Sequence, residues 1–215
     1  REEFCAIHGL DARQPIVVYL CSSEFVAGGE AGFVRPWIDE VRREPLLRSC
    51  NILIRPHPRQ QKPWKGFEVP DARVAVALPQ AMNADPTLFD TVHHSAAVVG
   101  LNTSPQLEAG ILGRPVLTIL APEFAAGQQG TLHFSYLLKE QGGFIDVAPD
   151  FDTHRRQLAA AVRGDYDPRA IRSFIEQFLR PRGIDRPATP HMVHAIEQFA
   201  QSHRDTHSEV TETHS

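Results

Sequence analysis

The chain is poor in cysteine, with three among 215 residues: Cys5, Cys21 and Cys50. An odd number without zinc-type spacing excludes a disulfide framework, a C-x-x-C redox pair and a cysteine-based zinc site. Cys21 and Cys50 sit in or beside predicted strands, so the reading is reduced thiols in a cytoplasmic setting. Long apolar runs are missing as well. None approaches the roughly 18–20 residues of a membrane span, and no secretory leader is visible. Positive charge is concentrated nowhere: the formal net charge is −4, with no basic arm or stripe. That removes nucleic acid as a partner. The patterns G-x-x-x-x-G-K-[ST], G-x-G-x-x-G and G-x-S-x-G do not occur. P-loop hydrolysis, ordinary dinucleotide redox chemistry and esterase chemistry are therefore unsupported.

What is present points to an α/β fold. At 42% hydrophobic and 22% charged residues, the chain can bury a sizeable core. Its length suits one medium domain or one half of a two-domain enzyme. Residues 16–21, Ile-Val-Val-Tyr-Leu-Cys, form an apolar β-branched run bounded by Pro15 and Ser22, which marks a strand buried on both faces. Similar short runs occur at 51–54, 74–77, 96–100, 115–119 and 144–147. Helical patterns occupy 1–8, 33–48, 86–94, 105–112, 131–139, 152–162, 168–179 and 190–202. Asp85 is a predicted cap for the third of these, with Leu88, Phe89 and Val92 facing inward. Right-handed crossovers then give a doubly wound, Rossmann-like sheet of six parallel strands in the order 3-2-1-4-5-6. The organisation expected is a connector at 1–14 from a preceding domain, a Rossmann-like domain at 15–164, helices at 165–203 and a disordered tail at 204–215.

In such a sheet the switch point lies between the first and fourth strands, and ligands bind at its carboxyl edge. Three turns reach that edge: Ser22-Ser23-Glu24, His57 with its flanking prolines, and Leu101-Asn102-Thr103-Ser104. Ser104 precedes Pro105, which fits an N-cap followed by the first helical position. Small hydroxyls and free backbone N–H groups at a helix N-terminus suit a phosphate. Glu108, one turn into that helix, could accept hydrogen bonds from vicinal hydroxyls of a sugar. Pro56 and Pro58 stiffen the backbone around His57. An N–H-donating imidazole there could stabilise charge on a diphosphate leaving group. Arg55 and Arg59 flank it and could steer an anion, and residues 128–131 could touch a base or sugar. The same features also fit an ordinary, well-capped βαβ unit. A metal reading is weak: His93 and His94 are adjacent, so they point about 100° apart on a helix. His191 and His194 share a helix face without an evident third ligand.

With those residues in view, the chain resembles the carboxyl-terminal, nucleotide-binding half of a GT-B glycosyltransferase. Within that superfamily it is most similar to the capsule-polysaccharide and CDP-glycerol glycerophosphotransferase-like group. The resemblance is carried by Arg55-Pro56-His57-Pro58 and by the run 98–115, where Asn-Thr-Ser, Leu-Glu-Ala and Gly-Arg-Pro-Val follow a strand. It spans roughly residues 10–180. It implies a UDP- or CDP-type donor with no cofactor and no metal. Its phosphates would meet His57, Thr103 and Ser104, lined by Ser22 and Ser23, and Glu108 would take the ribose hydroxyls. Arg55 and Asn102 complete the expected donor site, and His57 is the expected catalytic group. The resemblance also implies an acceptor-carrying domain before Arg1, without which this chain would bind donor but not transfer. UDP-sugar 2-epimerases share the fold and keep isomerase chemistry open. A non-catalytic binding module of the same shape is the alternative from another class.

Overall fold

The computed structural model describes residues 1–80 and 86–212, with backbone alone for residue 86 and for 203–212. Asp85, the predicted cap, and residues 213–215 lie outside the described residues. Two compact units divide the chain, Arg1–Phe174 and Ile175–Ser215.

In the first unit six strands form one parallel sheet: β1 (Ile16–Leu20), β2 (Asn51–Arg55), β3 (Val74–Val76), β4 (Ala97–Gly100), β5 (Val116–Ile119) and β6 (Asp146–Ala148). Their order is β3-β2-β1-β4-β5-β6, as predicted. The register sets Val17 beside both Ile52 and Ala97, so β1 lies at the centre with β4 across the switch point. Alternation divides the strand residues between two faces. Val17, Tyr19, Ile52, Ile54, Ala97 and Val99 join one cluster with Trp37 and Val41 of α2 (Glu30–Arg43) and Leu158 of α6 (Phe151–Arg163). The alternate residues Val18, Leu20, Leu53 and Val98 are buried on the opposite face. There α4 (Pro105–Ile111) comes so close that a Cβ on Gly100 would meet the Gln106 side chain at 3.3 Å.

The helix predicted over 33–48 starts and ends earlier, because Pro45 forces Glu44 into the extended region (φ −78°, ψ 122°). A 3₁₀ turn, Leu46–Arg48, follows it. In α3 (Pro86–His93), Val92 is buried as expected. Phe89 is not: it is 54% exposed and stacks on His93 one turn later, at 5.5 Å between ring centroids. One apolar residue of this short helix is thus satisfied by its own surface neighbour rather than by the core. Helix α1 (Glu2–His8) ends at Gly9 in the left-handed conformation. Arg1 ties it down by donating to the carbonyls of Ala12, Gln14 and His94. The unit also holds α5 (Leu132–Leu137) and α7 (Arg169–Phe174).

The second unit opens with a π-helical turn, Ile175–Leu179, where a continuous helix was predicted, and then forms α8 (Thr189–Glu212). The helix carries on through 204–212, which the polar sequence suggested was a tail. Among the described residues no helix is long and apolar enough to cross a membrane.

Candidate functional site

The turn after β1 is built around a buried carboxylate. Tyr19 leaves the sheet fully buried and donates its hydroxyl to Glu30 Oε1 at 3.0 Å. The Ser22 N–H donates to Glu30 Oε2 at 2.7 Å. Glu30 stands in the first turn of α2, where the helix dipole favours a negative group. Burial nevertheless pushes its carboxyl up to about 7, against the two hydrogen bonds that favour the charged form. Cys21 and Tyr19 are pushed well above their usual ranges, by burial first and by Glu30 next. All three cysteines are free and buried.

The turn after β4 is stitched to its neighbours on both sides. Ser22 Oγ accepts the Asn102 N–H at 3.3 Å. The Asn102 amide donates to the Gly127 carbonyl at 2.7 Å and to Thr131 Oγ at 3.1 Å. Gln106 Oε1 accepts the Thr103 N–H at 2.9 Å while its Nε2 donates to the Gly100 carbonyl at 3.0 Å. Gln128, expected near a base or sugar, is fully buried and braces Leu101, Thr118, Ile119 and Ala121. The N–H groups of Asn102 and Thr103 are therefore occupied from within, not free for a phosphate. Ser104 does hold the N-cap position with Pro105 after it, yet its side chain makes no capping bond. The capping function sits one residue earlier, in Thr103-x-x-Gln106, where the glutamine reaches back to the Thr103 N–H. Thr103 is buried and Ser104 is exposed, and neither lines the cleft that His57 faces.

The turn after β2 presents His57. The Arg59 N–H donates to His57 Nδ1 at 3.2 Å, which leaves Nε2 to carry the proton of the neutral ring. Partial burial, and then the Arg59 charge, hold this imidazole below its ordinary pKa. Neutral, N–H-donating histidine is thus the dominant form near pH 7. His57 lines a cleft of about 600 Å³ with Pro58, Arg59 and Gln60 on one side and Ser23, Glu24 and Phe25 on the other. Phe25 is fully exposed at its rim.

The remaining expected residues divide. Arg55 is buried, within 3.4 Å of Thr91 Oγ on α3, and its charge reaches His8 and Glu108 rather than the cleft lining. Glu108 is exposed, its carboxyl raised by partial desolvation, with Arg55 opposing the rise. The structure therefore brings Ser23 to His57, Ser22 to Asn102, and Arg55 toward Glu108, as three local groupings along one edge. Sequence reading missed Glu30 and Gln106, and placed Gln128 at the ligand where it braces the scaffold. The Thr103-x-x-Gln106 spacing was the one signal available, since it matches a capping box.

Among the described residues no group of three His, Cys, Asp or Glu side chains is gathered closely enough to hold a metal ion. Two Asp-x-Asp tripeptides serve the scaffold instead. Asp150 caps α6 by accepting the Thr153 N–H at 2.7 Å, and Asp152 pairs with Arg155. Asp165 pairs with Arg163, and Asp167 with Arg169.

No family model matches the sequence. No curated protein matches it either. Solved structures do. The wall teichoic acid polymerase TagF aligns at a TM-score of 0.57 and 16% identity, covering 94% of this chain and 47% of TagF. A variant of TagF aligns at 0.58 and 15%, covering 95% and 48%. WaaG, a glycosyltransferase involved in lipopolysaccharide biosynthesis, aligns at 0.51 and 14%, covering 91% and 50%. The fold is one half of a GT-B glycosyltransferase fold. This chain spans about half the length of each of those GT-B proteins. At these identities the likeness carries the fold alone.

Proposed function

We propose that this chain is the donor-binding half of a GT-B transferase and that the crevice takes a UDP- or CDP-activated sugar or glycerol phosphate. The observation that carries the reading is the cleft between the turns after β1 and β2, which Ser23 and His57 both line and where the Arg59 N–H on Nδ1 leaves Nε2 as the ring's N–H donor. Neutral imidazole can donate to a diphosphate oxygen and stabilise charge as the leaving group departs, which is the role expected of His57. Arg59 adds a cation on the same wall. Thr103 and Ser104 would approach the phosphates from the next turn, and Glu108 would meet the ribose hydroxyls. Ser22 and Asn102 would act by holding the two turns together. With charge met by side chains, binding would need no metal and no cofactor. A second, acceptor-carrying half would complete the transferase. Three buried free thiols fit a reducing cytoplasm. The cleft lining favours a transferase over a 2-epimerase, which would want further acids and bases beside His57 and Glu24.

The test is thermal unfolding of this chain with UDP, CDP, GDP, ADP and their common sugar derivatives, without added metal. A ligand at ten times its dissociation constant adds about 1.4 kcal/mol and moves the midpoint by roughly 3–5 °C. A shift selective for one nucleotide and absent in His57→Ala supports the reading. No shift with any of them at millimolar concentration overturns it.

A further inference from the structure

We propose that Glu30 is a positioning residue of the crevice, and that filling the crevice with a diphosphate drives a proton onto its carboxyl. The inference rests on the donor-site reading above. Glu30 is 1% exposed, and no arginine, lysine or histidine among the described residues pairs with it. Tyr19 meets it through its hydroxyl, and Ser22 through its backbone N–H and its side chain. Ser22 in turn holds Asn102 of the β4 turn, and Ser23, the next residue, lines the cleft. One carboxyl thus underlies two of the three turns that form the site, at the place where an anionic ligand would sit.

An anion bound beside Ser23 would repel a carboxylate buried one residue away through a medium of low polarity. The repulsion favours the protonated acid, so binding takes up a proton and weakens as pH rises through the neutral range. Burial already brings the carboxyl into that range, at about 7. The titratable groups facing it, Tyr19 of β1 and Cys21 just after that strand, are both pushed far upward and stay protonated there. The buried side chains flanking it, Ala27, Phe33 and Val34, carry no charge. Across the cleft, partial burial and then the Arg59 charge hold the His57 imidazole below its ordinary pKa.

The experiment is titration calorimetry of this chain with UDP-glucose and with CDP-glycerol, whose diphosphodiesters hold a constant charge. It is run between about pH 6 and about pH 8 in two buffers of different ionisation enthalpy. The dissociation constant should rise about ten-fold across that range, with net proton uptake. Glu30→Gln can still accept the Ser22 N–H and donate to Tyr19, so it should bind with a flat pH profile and no uptake. Tyr19→Phe, which removes a bond favouring the carboxylate, should move the wild-type profile to higher pH and serves if Glu30→Gln does not fold. A flat wild-type profile, or an unchanged slope in Glu30→Gln, overturns the inference and leaves the donor reading standing. No binding of either probe at any pH overturns both.

Discussion

Ser22 and Asn102 stand eighty residues apart in the chain, and the hydroxyl of the first accepts the backbone N–H of the second at 3.3 Å. That contact joins the turn after β1 to the turn after β4 across the switch point. Asn102 then extends the join to Gly127 and Thr131 on the far side. A polar side chain this deeply buried earns its place by leaving no partner unsatisfied. Asn102→Ala orphans the Gly127 carbonyl and should cost about 2 kcal/mol. Urea denaturation at unchanged m-value is the measurement. A cost below about 0.5 kcal/mol would show that water replaces the side chain without penalty.

Glu108 gives the opposite expectation. Its side chain is exposed, and among the described residues no hydrogen bond depends on it. Glu108→Ala should leave the unfolding midpoint within about 0.5 kcal/mol of the parent. On the donor reading it should weaken nucleotide binding by roughly ten-fold, as loss of a charged hydrogen-bond acceptor does. Binding that survives intact removes Glu108 from the site, and a collapse in stability would make the carboxylate structural.

The sheet was legible because its strands are unbroken apolar runs, such as Ile-Val-Val-Tyr-Leu in β1, and such runs survive only when buried on both faces. Strand order followed from the crossover rule. The locations of the three turns followed from the order. The roles of single polar residues did not follow. A serine at a strand end reads the same whether it lines an open cleft, as Ser23 does, or accepts an amide N–H from residue 102, as Ser22 does. Glu30 was hidden for a related reason, since a carboxylate beside Gly28 and Gly29 looks solvated until the chain folds back over it. Phe89 shows the limit of periodicity, which marks a face but not whether anything covers it.

Two glycines of the central segment separate two kinds of strain. A Cβ on Gly110 would lie 2.7 Å from the Phe144 ring, so Gly110→Ala overpacks a helix–sheet contact and should cost about 1–3 kcal/mol. Gly113 meets nothing within 4 Å but sits at φ +68°. The cost of Gly113→Val is backbone strain alone, about 1–3 kcal/mol. Shortening the ring by Phe144→Leu should relieve Gly110→Ala and leave Gly113→Val unchanged. Equal relief of both in a double-mutant cycle would refute the distinction.

Two buried groups should set the pH dependence of stability, with opposite signs. His154 is fully buried and accepts the Trp37 indole N–H at 3.0 Å, and burial brings its pKa down to about 4. The unfolded chain binds this proton more tightly than the fold does. Its contribution is therefore complete above about pH 6.5 and is lost as pH falls through about 4, to a total of about 3 kcal/mol. Glu30, raised to about 7, works the other way: the fold binds its proton more tightly. That contribution is complete below about pH 4.5 and is lost as pH rises through about 7, again about 3 kcal/mol. Between these limits the two slopes oppose, so the parent protein should show a broad, shallow stability profile. Glu30→Gln removes one slope and should unmask a steady rise in stability from about pH 4.5 to about pH 6.5. Chemical denaturation at a series of pH values measures it. A Glu30→Gln profile as flat as the parent's would show that His154 does not carry its expected share of the acid sensitivity.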